Sequence, residues 1–158
     1  MAQNACMTQG LSVSTPVGVL TLSGDDTAIT GLRWGGEQIS DLAALREGAR
    51  QIAAYFDGRL TRFDLPLRVE ASAFQQSVCA AMQTIPMGET RTYGDLARDL
   101  GCSAQAVGRG CGGNPIPVII PCHRVMGAGG RLVGFSGAGG VETKVALLRH
   151  EQAGGFLI

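Results

Sequence analysis

The sequence predicts a mixed α/β (α+β) protein in two lobes. Residues 1–70 read as a lobe with a small antiparallel sheet and one helix, and residues 71–158 as a mostly helical lobe containing a helix-turn-helix. Three observations carry this. Residues 11–34 alternate apolar and polar side chains, the period of a half-buried strand. Residues 41–56 and 72–110 switch to apolar spacings of three and four behind capping residues. A short stretch around Pro66 to Ala71 has neither period and separates the two patterns. A chain of 158 residues can bury one core or two small ones.

In LSVSTPVGVLTLSGDDTAITGLRW, Gly24-Asp25-Asp26 reads as the turn between two antiparallel strands. From Asp41, Leu42, Leu45, Ala49, Ile52 and Phe56 define one helical face that packs on that sheet, until Gly58 stops the helix. LTRFDLPLRVEA then reads as one more strand running into the linker. Ser72 with Gln75 makes a capping box. Phe74, Val78, Met82 and Ile85 form the buried face of the helix it opens, and Pro86 ends that helix. Thr92 with Asp95 repeats the signature for a short helix through Tyr93, Leu96, Ala97 and Leu100 that closes at Gly101. Ser103 caps a second short helix, AQAVGRG, and the pair has the outline of a helix-turn-helix. NPIPVIIP cannot be helical, because Pro115, Pro117 and Pro121 remove donors and force extended geometry on their predecessors. Seven glycines between residues 127 and 140 make a loop that lets backbone approach a ligand closely. VETKVALLRHE closes the chain as a helix with Val141, Val145 and Leu148 on one face and His150-Glu151 at its end.

The 13 basic and 13 acidic residues cancel, which argues against a protein held to nucleic acid mainly by a large positive field. Residues 1–73 carry 6 basic and 8 acidic side chains, net −2; residues 74–158 carry 7 and 5, net +2. The second half is therefore the side for an anionic partner. Five cysteines, never spaced C-x-x-C, and two histidines make neither a disulfide framework nor a zinc site, so no metal is expected. The start lacks a basic and apolar leader and no apolar run approaches membrane length, so a reducing, soluble, cytosolic setting with no membrane partner is expected.

The chemical question lies in IPVIIPCHRV. Cys122 is either a small buried hydrophobe or a reactive thiol. An ordinary thiol is only a few per cent thiolate at neutral pH, so a nucleophilic cysteine needs a base or a cation nearby, and His123 and Arg124 supply both types. Adjacent residues point apart on an extended strand, so contact between Cys122 and His123 needs a turn or a bridging water. His123 needs a group to set its tautomer; Glu151 is a candidate, with a solvated helix-end glutamate as the alternative. Arg124 reads equally as a surface charge or as a partner of the last helix's carboxyl end, and Tyr93 as a core-edge aromatic. The glycine loop matches no phosphate-cradling pattern, which disfavours nucleotide cofactors.

IPCHRV, preceded by GNPIPVI and followed by GFSG and LLRHE, closely resembles the O6-alkylguanine-DNA alkyltransferases, also called methylated-DNA-protein-cysteine methyltransferases. TPVGVLTL and LRW are similar to that family's N-terminal sheet, and FQQSVCAAMQTIPMGETRTYGDLA to its entry into the DNA-binding lobe. The resemblance implies a ribonuclease-H-like N-terminal lobe and a winged-helix-like C-terminal lobe. It implies that Cys122 accepts the alkyl group of O6-methylguanine, with O4-methylthymine as a second candidate substrate, in a single self-inactivating turnover after base flipping. Glu151 would orient His123, and His123 would deprotonate Cys122 through a water. Asn114 would brace the turn, and Tyr93 would donate toward the leaving purine. Thr92, Gln105, Ala106, Arg109, Arg124, Val125, Phe135 and Ser136 would lie against DNA or the flipped base, the backbone around Cys122, Val125 and Ser136 reading the guanine edge. The implied partner is double-stranded DNA carrying O6-alkylguanine, bound by a monomer without a cofactor.

The sequence departs from the family at Gln105, where an arginine usually fills the gap left by the flipped base. Arg109, four residues on and on the same helical face, is expected to supply part of the missing charge. Phe135 stands where a tyrosine is common, two extra residues lengthen the loop before the last helix, and the metal ligands of some members have no counterpart. Rival readings are a lesion-binding relative without repair, a cysteine hydrolase built on Cys122, His123 and Glu151, and a plain DNA-binding regulator.

Overall fold

The computed structural model describes residues 8–132 and 140–153. Its contacts divide the chain between Arg68 and Val69 into two compact units. In the first, β1 (Gln9–Thr15), β2 (Gly18–Gly24) and β3 (Ile29–Trp34) form an antiparallel sheet in that order, and α1 (Ala43–Phe56) packs on it. The predicted pair of strands is thus three. Pro16 and Val17 make a two-residue turn, with Thr15 opposite Gly18, while Gly18 adopts φ 109° and the Thr15 hydroxyl donates to its carbonyl at 2.6 Å. The apolar alternation runs unbroken through this turn, which hides it in the sequence. The Gly24-Asp25-Asp26 turn is where expected, and Asp25 Oδ1 accepts from the backbone of Thr27 and Ala28 at 2.9 and 3.1 Å.

The predicted strand in LTRFDLPLRVEA reduces to a single parallel bridge between Ile29 and Leu67. Pro66 offers its carbonyl to Ile29 N at 2.8 Å but has no N–H with which to extend the ladder. Leu45 and Ile52 of α1 are buried as predicted, as are Leu20, Leu22, Ile29 and Leu32 of the sheet, but Tyr55 is buried where Phe56 was expected. The face is centred nearer Gly48: a Cβ there would meet side-chain carbons of Ile29 and Leu22 at 2.9 Å, so the helix lies close on the sheet.

The second unit contains α2 (Ala73–Gln83), β4 (Arg91–Thr92), α3 (Tyr93–Leu100), α4 (Ala104–Gly112), a 3-10 turn at Cys122–Arg124, β5 (Val125–Met126) and α5 (Val141–His150). The Thr92 and Asp95 capping box is complete and Gly101 ends α3 in the left-handed conformation. Ser103 caps α4 through Ala106 N. Ser72 caps α2 through Gln75 N, but the Gln75 side chain does not reach back. It donates to Gly110 O at 2.7 Å and so ties α2 to α4.

Phe74, predicted to be buried, is 40% exposed, whereas Val78, Met82 and Ile85 are buried. The face of α5 is also shifted. Lys144, Leu147 and Leu148 are buried and Val141 is exposed, because Leu148 packs with Met126, Ala153 and Leu132. Two parallel pairs, Arg91 with Val125 and Thr92 with Met126, bind the entry to α3 to the strand leaving the 3-10 turn. That short ladder holds Tyr93 and Cys122 in one neighbourhood.

Candidate active site

The turn that presents Cys122 is built by Asn114. Its side-chain amide donates to Ile120 O at 2.8 Å and its Oδ1 accepts from Ile116 N at 3.0 Å. Between them Val118 is held at φ 73°, a conformation rare for a β-branched residue, and Ile120 N closes on Ile116 O at 2.9 Å. Cys122 N then donates to the same Ile120 O at 2.8 Å, and Arg124 N to Pro121 O at 3.0 Å. Cys122, His123 and Arg124 therefore lie on one turn of 3-10 helix, and all three are buried. This corrects the extended geometry expected around the cysteine.

Glu151, the residue that ends α5, receives two side chains from that turn. His123 Nε2 lies 2.7 Å from Glu151 Oε2. Arg124 donates from Nε to Oε1 and from Nη2 to Oε2, each at 2.8 Å, and from Nη1 to Ile85 O at 2.6 Å. Burial pushes the Glu151 pKa up, but hydrogen bonds from His123 and Arg124 and the positive charge of Arg124 more than reverse this and hold it well below the carboxylate range. Burial first, and then the charges of Arg124 and Lys144, lower the His123 pKa against the opposing pull of Glu151, so the imidazole is neutral at rest. A carboxylate accepts only, so the neutral ring carries its proton on Nε2 and leaves Nδ1 as the basic atom. His123 Nδ1 is buried and has no hydrogen-bond partner among the described residues.

Three further groups share the electrostatic neighbourhood of Cys122. Tyr93, half-buried at the start of α3, has its pKa pushed up to about 12 by burial and then by Cys111 and Cys122. It is thus a phenol, able to donate, at any ordinary pH. The Cys111 thiol of α4 is pushed up to about 12 by burial and then by Cys122. Lys144 of α5 is buried and donates to Val125 O at 2.6 Å; burial lowers its pKa while Cys122 and Cys111 act the other way. Lys144 and Cys111 were not among the predicted site residues. A lysine on the flank of an apolar helix was the available signal for the first, and Cys111 had none.

Of the predicted site residues, the fold brings together Cys122, His123 and Glu151, with Asn114 beneath the turn and Tyr93 at its side. Arg124 corrects the resemblance, which placed it against DNA, and fits the other reading of the residue, a partner of the last helix's carboxyl end: it is buried with its guanidinium committed to Glu151 and Ile85. Val125 is buried, and its carbonyl is taken by Lys144. Thr92 and Ala106 serve helix capping, through the Thr92 hydroxyl and Ala106 N. Gln105 and Arg109 are exposed on α4. Phe135 and Ser136 lie outside the described residues. Among the described residues, no group of three or more His, Cys, Asp or Glu side chains is placed to hold a metal ion.

The chain is similar to known proteins over nearly its whole length. A family model described as 6-O-methylguanine DNA methyltransferase, DNA binding domain, matches residues 73–153. Another, described as 6-O-methylguanine DNA methyltransferase, ribonuclease-like domain, matches residues 11–69. The methylated-DNA--protein-cysteine methyltransferase of Mycolicibacterium paratuberculosis is 42% identical over 151 residues, 89% of this chain and 90% of its own length. The crystal structure of Mycobacterium tuberculosis O6-methylguanine methyltransferase matches with a TM-score of 0.83 at 42% identity, over 92% of this chain and 93% of that one. A structure of the M. tuberculosis protein in complex with DNA matches with a TM-score of 0.81 at 42% identity, over 92% and 95%. Both halves of the chain match one family, and the Cys122 turn with its His123 and Glu151 partners falls in the half that matches the DNA-binding domain: the chain belongs to the 6-O-methylguanine DNA methyltransferase family.

Proposed function

We propose that this protein is a methylated-DNA-protein-cysteine S-methyltransferase that repairs duplex DNA by moving the alkyl group of O6-methylguanine onto its own Cys122, once per chain. The observation that carries this reading is the buried His123 ring, pinned by Glu151 at Nε2 with Nδ1 left as its basic atom, on the same turn as the thiol. His123 takes the thiol proton at Nδ1 through a bridging water. The thiolate attacks the methyl carbon, the carbon to O6 bond breaks, and a thioether forms that water does not cleave. The leaving purine takes a proton from the Tyr93 hydroxyl, and the proton gathered on His123 passes to the Tyr93 oxygen, so that both side chains end neutral.

The methyl carbon is inaccessible in a stacked duplex, so the nucleotide must swing out, at a cost of a few kcal/mol that a weakened lesion pair reduces. The α3 and α4 pair is the DNA-facing element, with Gln105 and Arg109 exposed on α4. Asn114 sets the turn, and the backbone around Cys122, Val125 and Ser136 reads the guanine edge. The partner is double-stranded DNA carrying O6-alkylguanine, met by a monomer. Cys79, Cys102, Cys111 and Cys122 are not disulfide-bonded, which supports action in a reducing compartment, the cytoplasm.

Intact mass after mixing with a duplex holding one O6-methylguanine, followed by peptide mapping, tests this. A gain of one methyl on Cys122 that stops at one per chain is expected. Repeated turnover would point to a hydrolase, and tight lesion binding without a mass gain to a lesion-binding protein.

A further inference from the structure

Arg124 takes the place at the carboxyl end of the last helix that the sequence offered beside a surface position and a DNA contact. A guanidinium is costly to bury, and here it is committed at three points: both Glu151 oxygens and the carbonyl of Ile85, just beyond α2. Its neighbour His123 uses the same Glu151 oxygen, Oε2. One buried carboxylate thus holds a guanidinium and an imidazole from consecutive residues of the turn that carries the acceptor thiol.

We propose that Arg124 is a positioning residue of the transfer reaction: by neutralising Glu151 itself, it leaves His123 uncharged and free to accept the proton of Cys122. A buried carboxylate demands a compensating positive charge. With Arg124 on it in a bidentate fork, the demand is met by a group that cannot deprotonate. Without Arg124, imidazolium would meet it, and an imidazolium has no lone pair with which to act as a base.

The charged and titratable groups around His123 fit this assignment. From α5 come Glu151, which favours the charged ring, and Lys144, which disfavours it; from its own turn come Arg124, which disfavours it, and Cys122. Tyr93 of α3 and Cys111 of α4 couple to Cys122 and stay protonated. Lys144 donates to Val125 O. Arg124 holds the carboxylate directly, on the side of Glu151 that the ring leaves open as well as on the oxygen they share.

This inference rests on the transferase reading, and its test separates the two. The chain has only two histidines, so nitrogen NMR of the labelled imidazoles of the whole protein can follow His123 from pH ~8 to ~5, with His123→Gln as the assignment control. Single-turnover transfer from a duplex containing O6-methylguanine is measured over the same range. Arg124→Gln keeps hydrogen-bonding capacity and removes the charge, and Arg124→Lys keeps the charge and loses the fork. We expect Arg124→Gln to raise the His123 titration and move the acid limb of the rate profile up by about one pH unit, a loss of about tenfold on that limb. Arg124→Lys is expected to leave both near the wild-type positions.

An unshifted titration and limb in folded Arg124→Gln would overturn the proposal and leave Arg124 a structural tie. Should Arg124→Gln fail to fold, Arg124→Lys decides: a His123 titration raised by a unit in spite of the retained charge overturns the proposal, and an unmoved one upholds it. If the wild type transfers no methyl, the transferase reading fails, while the histidine titration still reports on Arg124.

Discussion

His123 Nε2 and Glu151 Oε2 meet at 2.7 Å although 28 positions separate them in the chain, and both side chains are wholly withdrawn from solvent. Glu151→Gln keeps the shape of that contact and removes its charge. Transfer is expected to slow by about 10² to 10⁴, the usual worth of general-base assistance. The same change strands the buried Arg124, so stability should fall by about 3–5 kcal/mol. Single-turnover rates and urea unfolding check the two effects separately.

Folding should weaken with acid. His123 has a folded pKa below its ordinary 6.5, so the unfolded chain binds a proton that the folded chain refuses; the stability is present above 6.5 and declines as pH falls below it. Glu151 is depressed too, so its contribution is present above the ordinary 4.5 and declines below that as pH drops toward its folded value. The urea midpoint should therefore fall in two stages between neutral and acid pH, and His123→Gln should flatten the upper one. A midpoint independent of pH across 6.5 in the wild type would contradict the neutral, buried imidazole.

Tyr93 holds its proton to about pH 12. Tyr93→Phe removes the donor while keeping the ring, so duplex affinity should persist and the transfer rate fall by about tenfold to a hundredfold. Gel-shift affinity alongside single-turnover kinetics separates the two; an equal drop in both would make Tyr93 a binding residue only.

A Cβ at Gly110 would sit 2.8–3.0 Å from three carbons of Val78, where α4 presses on α2. Gly110→Ala must push these helices apart and should cost about 1–3 kcal/mol, visible as a lower thermal midpoint. Gly110→Ala combined with Val78→Ala should recover part of that stability.

Gln105 and Arg109 occupy i and i+4 of α4, both exposed. Arg109→Ala is expected to weaken duplex binding and reduce the salt slope by about 0.9, the share of one neutralised phosphate. Gln105→Arg should do the reverse. Unchanged affinity and slope in Arg109→Ala would remove Arg109 from the DNA-facing surface.

What was readable in the sequence was what neighbours decide. The Thr92 and Asp95 capping box, the Ser103 cap and the Gly101 stop all depend on hydrogen bonds or sterics within a few residues, and each is found in place. Local pattern failed where the local signal was continuous or incomplete. Alternation masked the Pro16-Val17 turn, and Gln75, one half of an apparent capping box, reached Gly110, 35 residues away.

The residues of the Cys122 motif and the candidates His123 and Glu151 were therefore legible from sequence alone, by pattern and by resemblance. Their electrostatic arrangement was not. Which face of α5 is buried decides that Lys144 enters the site, and how α2, α5 and the 3-10 turn converge decides that Arg124 serves Glu151. A buried charge takes the partner that tertiary packing brings within hydrogen-bond reach, and no spacing along the chain encodes that distance.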